Sequence, residues 1–261
     1  MNKQASNQMS RSTTKVLYKT AVVHGLSIFY REAGYPGNPK LLLLHGFPAS
    51  SHQYRNMISA LSDRFHVIAP DYPGFGNSDM PSPDKFDYTF DRLSEIIEAF
   101  LKKIDFTHFG LYMQDYGGPV GFRITSTHPD WLEWLIIQNA NAYEIGFTSA
   151  WDGLRNSLWK NRSPETEKPL YGFLELDVIK HVYLYGHKNP ELISPTTGIW
   201  IIVSWSGQTL DECRWICSTT IALMSHSIQS GKNSYVSIGQ RPLSSGGKTT
   251  SSSPRREVKL T

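Results

Sequence analysis

The stretch Leu111-Tyr112-Met113-Gln114-Asp115-Tyr116-Gly117-Gly118 constrains this chain more than any other. An apolar run, residues 106–113, leads into it, and a helix-compatible stretch, residues 118–126, leads out. A strand that turns this sharply into a helix needs small residues just past the bend, because a Cβ there meets the neighbouring backbone. Gly117 and Gly118 meet that need. The apex residue of such an elbow stands exposed above the sheet, and here it is Asp115. A helix N-cap is the ordinary role for an Asp at this place. The sharp bend favours a displayed carboxylate instead.

The rest of the chain supplies a sheet for that elbow. Residues 16–23 and 26–31 are β-rich and joined at His24-Gly25, which reads as a hairpin. Residues 40–44 place four leucines behind a lysine, a run suited to a strand buried on both faces. It ends in His45-Gly46-Phe47-Pro48. Ser50 or Ser51 caps a helix with Tyr54, Met57, Ile58 and Leu61 at helical spacing. Residues 65–69 form the next strand and enter a Pro- and Gly-rich loop, residues 70–78, that begins Pro70-Asp71. Thr89 caps a helix presenting Leu93, Ile96, Ile97, Phe100 and Leu101. After the elbow comes a strand at residues 132–137.

Strand and helix alternate after an antiparallel start. That pattern predicts an α/β chain with a doubly wound, mostly parallel sheet. Ligands of such sheets bind past the carboxyl ends of the strands. His45, Asp71, Asp115 and Asn139 all fall there and are expected to meet at one crevice. From residue 142 strand signals stop. Trp151, Leu154, Leu158 and Trp159 suggest one helix, and Leu174, Val178, Ile179, Val182 and Tyr183 another. They read as a helical cap that gives the crevice an aromatic lining. His45, Asn139, Tyr143, Trp151 and Tyr183 are the pocket candidates. The expected divisions are a tail at residues 1–14, a core at 15–141, a cap at 142–195 and a different texture at 196–261.

A chain of 261 residues with net charge +3 suits one domain and gives no reason to expect nucleic acid or an anionic membrane as partner. No apolar run approaches a membrane span, and residues 1–15 lack the apolar centre of a signal peptide. A cytoplasmic protein is expected. Cys213 and Cys217 stand alone, a weak metal signal, so neither a metal nor an organic cofactor is expected.

His45-Gly46-Phe47-Pro48, the 70–78 loop and Gln114-Asp115-Tyr116-Gly117-Gly118 together resemble the α/β-hydrolase fold family. Within it they are similar to the epoxide hydrolase and haloalkane dehalogenase branch, where Asp replaces Ser as nucleophile. The resemblance implies that Asp115 attacks an sp3 carbon to form an alkyl ester, which a His-activated water hydrolyses. It also implies an oxyanion hole made by the backbone N–H groups of Phe47 and Tyr116, and a cap tyrosine (Tyr143, Tyr183 or Tyr185) that protonates an epoxide oxygen. The substrate it implies is a small, mostly apolar electrophile. Phe47 and Tyr116 depart from the halide-binding residues usual in dehalogenases, so the resemblance leans toward epoxides.

The chain order of the family is nucleophile, acid, histidine. After the cap, neither an acid on a strand nor a histidine behind a glycine follows. His226 lies in Leu223-Met224-Ser225-His226-Ser227, which has no strand pattern leading in. Beyond Pro195 the composition turns rich in Ser and Thr, which suggests a low-complexity tail in place of the last strands. Restoring one base between the codons of Pro195 and Thr196 converts residues 242–250 into T-L-I-V-W-G-K-N-D, an apolar strand ending in Asp. Residues 196–261 are therefore expected to be out of frame. The alternatives to an epoxide hydrolase are a non-catalytic remnant without acid and base, and a haloalkane dehalogenase.

Overall fold

The structure is a computed structural model, and it describes residues 15–143, 146–161 and 163–205. Two strands, β1 (Leu17–Val23) and β2 (Leu26–Ala33), form the expected hairpin. His24 and Gly25 both take positive φ, 48° and 82°, the conformation a two-residue turn needs to match strand twist. The remaining strands are β3 (Lys40–Leu44), β4 (His66–Pro70), β5 (Phe109–Gln114) and β6 (Leu132–Gln138). The sheet order is β1-β2-β4-β3-β5-β6. β2 meets β1 and β4 antiparallel, and β4, β3, β5 and β6 run parallel.

β3 lies inside this sheet, and its four leucines divide by side-chain alternation. Leu42 and Leu44 enter the larger core, and Leu41 and Leu43 the smaller one on the opposite face. Burying each is worth roughly 1.5–3 kcal/mol. Lys40 stays at the strand mouth, where its Nζ donates to the carbonyls of Asp105 and Thr107.

Helix α1 (Arg55–Leu61) covers the smaller core, after a 3₁₀ turn whose first N–H groups are capped by Ser50. On the other face lie α2 (Phe90–Lys103) and α3 (Gly117–Thr127). Thr89 caps α2 by accepting from Arg92 N at 2.9 Å. Phe90, Leu93, Ile96, Ile97, Phe100 and Leu101 then face inward at helical spacing.

The cap is more broken than the periodicity predicts. It holds α4 (Asp152–Asn156), α5 (Pro164–Glu167) and α6 (Leu176–Leu184), with 3₁₀ turns between. Ser157 leaves helical geometry at φ −118°, ψ −90°, so Leu158 and Trp159 lie past the end of α4. Both are nonetheless buried, since Trp159 packs against Phe147 and Trp151.

A final helix, α7 (Thr196–Trp205), follows. It occupies the first ten residues of the stretch expected to be a tail, and it buries Thr197, Ile201 and Trp205. Cys213, Cys217, His226 and residues 242–250 lie outside the described residues. No helix among the described residues is long and apolar enough to cross a membrane.

Candidate active site

The elbow is built as β5, Asp115, Tyr116, α3. Asp115 has φ 53°, a left-handed conformation rare for a residue with a side chain. The bend is held because the glycines beside it let the backbones close. A Cβ on Gly117 would stand 2.3 Å from the Leu44 carbonyl oxygen. A Cβ on Gly46 would stand 2.5 Å from Asp115 Cβ and 2.8 Å from Oδ1. Asp115 does not cap α3. The N-cap position belongs to Tyr116, and no side chain bonds there.

The carboxylate instead faces the β3 exit loop. Its Oδ1 accepts from the Phe47 N–H at 2.7 Å. Burial pushes the Asp115 carboxyl above the ordinary Asp range, and the N–H groups of Phe47 and Tyr116 pull it partly back. These are the two backbone donors that the resemblance assigns to an oxyanion hole. Asp115 also lines the cleft above.

Beneath the carboxylate lies a layer that only shapes it. His45 was expected among the pocket residues, but the structure places it under the loop, fully buried. Its Nε2 accepts from Tyr72 N at 3.3 Å, so Nδ1 carries the proton and donates to the Gly46 carbonyl at 3.0 Å. Burial lowers the His45 pKa and keeps the ring neutral. Both nitrogens are committed to backbone, which leaves none for a substrate. Asp71, also fully buried, braces the next loop: Oδ1 accepts from Ser51 N at 2.7 Å and Oδ2 from Asn77 N at 2.9 Å.

Above the carboxylate a cleft of about 260 Å³ is lined by Asp115, Pro119, Asn139, Asn141, Phe147 and Trp151, among others. Two of the five pocket candidates, Asn139 and Trp151, are in it. Asn139 follows β6 with φ 46°, a second left-handed residue at a strand exit. Trp151 meets Phe147 edge-on, ring centroids 5.1 Å apart. Tyr143 is exposed and is not part of the wall. Tyr183 on α6 is half-buried. It is not part of the cleft wall; burial raises its pKa, the Arg55 charge lowers it, and the Asp115 charge raises it. Tyr185 is largely exposed. Sequence reasoning missed Pro119 and Phe147. Pro119 was legible as a residue in the first turn of α3, while Phe147 sits in an irregular segment with no periodicity.

Comparison with known proteins agrees with this fold. Residues 39–162 match the family model described as the alpha/beta hydrolase fold. An uncharacterized hydrolase of Saccharomyces cerevisiae is 42% identical over 160 residues, 60% of this chain and 54% of that protein. A haloalkane dehalogenase of Psychrobacter cryohalolentis is 40% identical over 106 residues, 40% of this chain and 35% of that protein. The chain thus spans about half the length of the first relative and about a third of the second. Among solved structures, Cfl2 from Burkholderia cenocepacia gives a TM-score of 0.65 at 20% identity, covering 85% of this chain and 78% of that one. The epoxide hydrolase CorEH gives 0.63 at 21%, covering 82% and 77%. The chain has the α/β hydrolase fold.

Proposed function

We propose that this protein uses Asp115 as a nucleophile toward saturated carbon, with a small, mostly apolar epoxide as its substrate class. The observation that carries this reading is the carboxylate itself. It is displayed on a strained elbow, fixed through Oδ1 by the Phe47 N–H, and part of the wall of a partly aromatic cleft. A carboxylate is a poor nucleophile toward amides and an adequate one toward a strained C–O bond.

In the proposed first step Asp115 Oδ2 bonds to an epoxide carbon and the ring C–O bond breaks. The ring oxygen takes the proton of the Tyr183 hydroxyl, and solvent later returns one to the phenolate. Tyr183 is preferred to Tyr143 and Tyr185 because those two are exposed, whereas Tyr183 is half-buried and feels the Asp115 charge. In the second step water adds to the ester carbonyl, and the Phe47 and Tyr116 N–H groups hold the resulting oxyanion. The resemblance assigns activation of that water to a histidine. Among the described residues no hydrogen bond joins a histidine ring to Asp115.

Intact-mass measurement after incubation with a terminal epoxide tests the first step. The expected result is one covalent addition mapping to Asp115, slowed in Tyr183→Phe. An unmodified Asp115 at saturating epoxide overturns the reading. A parallel incubation with a 1-bromoalkane separates the dehalogenase alternative, which the Psychrobacter cryohalolentis relative favours. Halide departure needs no proton, so Tyr183→Phe is expected to leave that reaction unchanged.

A second reading concerns turnover and rests on the break in composition past Pro195. If one base is missing between the codons of Pro195 and Thr196, the ester accumulates without release, and the chain is a remnant that captures its substrate. Sequencing the gene across those codons in independent isolates tests this, and identical bases in every isolate sink it.

A further inference from the structure

Helix α7 lies against the oxyanion turn, and we infer that Trp205 is a positioning residue that holds the Phe47 N–H on the Asp115 carboxylate. The inference rests on the Asp115 nucleophile proposed above. Trp205 is buried, and its ring meets two others edge-on: Phe75 at 5.5 Å and 89°, and Phe47 at 6.2 Å and 85°. Phe47 in turn lies on Tyr116, ring centroids 5.5 Å apart. Phe75 touches Tyr116 at 6.2 Å and His45 at 5.5 Å. The residues bearing both proposed oxyanion donors are therefore backed by one aromatic cluster, and Trp205 closes it.

Trp205 is itself anchored. Arg55 Nη2 donates to Thr197 Oγ1 at 3.1 Å, and Trp200 stacks on His52 with centroids 5.0 Å apart at 25°. Both tie α7 to the α1 side of the β3 exit, the segment that carries Phe47. Whatever the genetic origin of residues 196–205, their helix contacts the turn on which the carboxylate depends. The Phe47 N–H shares a peptide plane with the Gly46 carbonyl, which accepts from His45 Nδ1 and Ala49 N, and the packed Phe47 ring holds the other end of that segment. A donor turned away from Oδ1 loses strength steeply with angle. Its loss lifts the carboxyl pKa and weakens stabilisation of the ester oxyanion.

The acid limb of the alkylation rate reads this directly. The ionisable groups whose charge acts with that of Asp115 are Tyr183 on α6 and the buried Tyr54 and Tyr72, all raised by burial. None of these three titrates in the acid range, but His52 beneath Trp200 does, pushed down to about 4 by burial and by Arg55 and Arg31, so the limb is assigned to Asp115 by following its carboxyl carbon by 13C NMR.

The experiment measures the rate of Asp115 alkylation by a terminal epoxide against pH in the full chain. Trp205→Ala is expected to slow it roughly tenfold, a fraction of the ~10²–10³ that follows loss of one oxyanion donor. The limb should also move to higher pH, and Trp205→Phe should restore both. Thr197→Ala, which removes an anchor and leaves the core intact, should move the limb the same way by less. A folded Trp205→Ala protein with wild-type rate and limb overturns the inference. If Trp205→Ala does not fold, an unmoved limb in Thr197→Ala overturns it. If the wild type is not alkylated at all, the proposed function fails. The inference is then read from the Asp115 carboxyl titration by 13C NMR, which should still rise in Trp205→Ala or, failing folding, in Thr197→Ala.

Discussion

Gly46→Ala places one methyl group against Asp115, the proposed nucleophile, and its cost follows from three distances. The new Cβ would lie 2.5 Å from Asp115 Cβ, 3.1 Å from Cγ and 2.8 Å from Oδ1. Carbon atoms in ordinary contact stand about 3.5–4.0 Å apart, so the carboxylate must retreat by roughly 1 Å. It has little room to do so. Its backbone is already left-handed, and Gly117 behind it sits too close to the Leu44 carbonyl for any Cβ. The displacement therefore falls on the Phe47 to Oδ1 bond and on the aim of Oδ2. A misplacement of about 1 Å at reacting atoms costs on the order of 10²-fold in rate, and overpacking costs about 1–3 kcal/mol in stability. The assay is the pseudo-first-order rate of epoxide addition by intact mass, beside a thermal melt. Gly25→Ala is the control, because nothing lies within 4 Å of its Cβ and only its positive φ is strained. It should lose stability and keep the rate. A Gly46→Ala protein that is alkylated at the wild-type rate would refute the view that the elbow is sterically fixed.

Three further outcomes are expected. Asp115→Asn should form no adduct yet melt higher than wild type at pH 7. A carboxyl raised by burial stabilises the fold only while protonated, so wild type loses stability as pH rises through the folded value. The gap should close below about pH 4, and a wild type that melts higher at neutral pH contradicts this. Glu32→Gln should cost about 0.5 kcal/mol at pH 7, discounted for the exposure of Lys19. Burial raises the Glu32 pKa, but bonds from Lys19 at 2.6 Å and His66 at 2.8 Å outweigh it and leave it lowered. That stability is present above the unfolded Glu value and lost as pH falls through the folded one, so denaturant melts at pH 7 and pH 3 should show the difference shrinking. Ile136→Lys with Ile137→Lys should reduce self-association by light scattering, since both are about half exposed on β6, an edge strand among the described residues. Unchanged scattering would place the sticky surface elsewhere.

The sheet was legible because its signals are local. Four leucines at residues 41–44 fit a two-sided strand whatever surrounds them, and His24-Gly25 has the turn chemistry of a two-residue hairpin. Asp115 was legible because a glycine pair after a strand is rare without a sharp bend. The cleft wall was less so. Phe147 and Trp151 meet through an irregular segment, where no period announces which side faces in. His45 was legible as a loop residue at a strand exit that shapes the turn, but the choice between facing up and facing down is made by the Tyr72 N–H, a bond no pattern encodes. Residues 196–205 failed differently again. Their neighbours' composition suggested a tail, while Ile201 and Trp205 found apolar surface on the core.

The two sides of the cleft differ in how they are held. Phe47 leaves β3 and Asp115 leaves β5, strands that each have a neighbour on both sides. Asn139 and Asn141 follow β6, which has β5 alone among the described residues. A strand bonded along one side opens at lower free energy than one bonded along two. The wall that carries the proposed nucleophile is thus the stiff one and the facing wall the compliant one. Substitutions along residues 139–151 then have latitude to reshape what enters the cleft while the carboxylate keeps its aim.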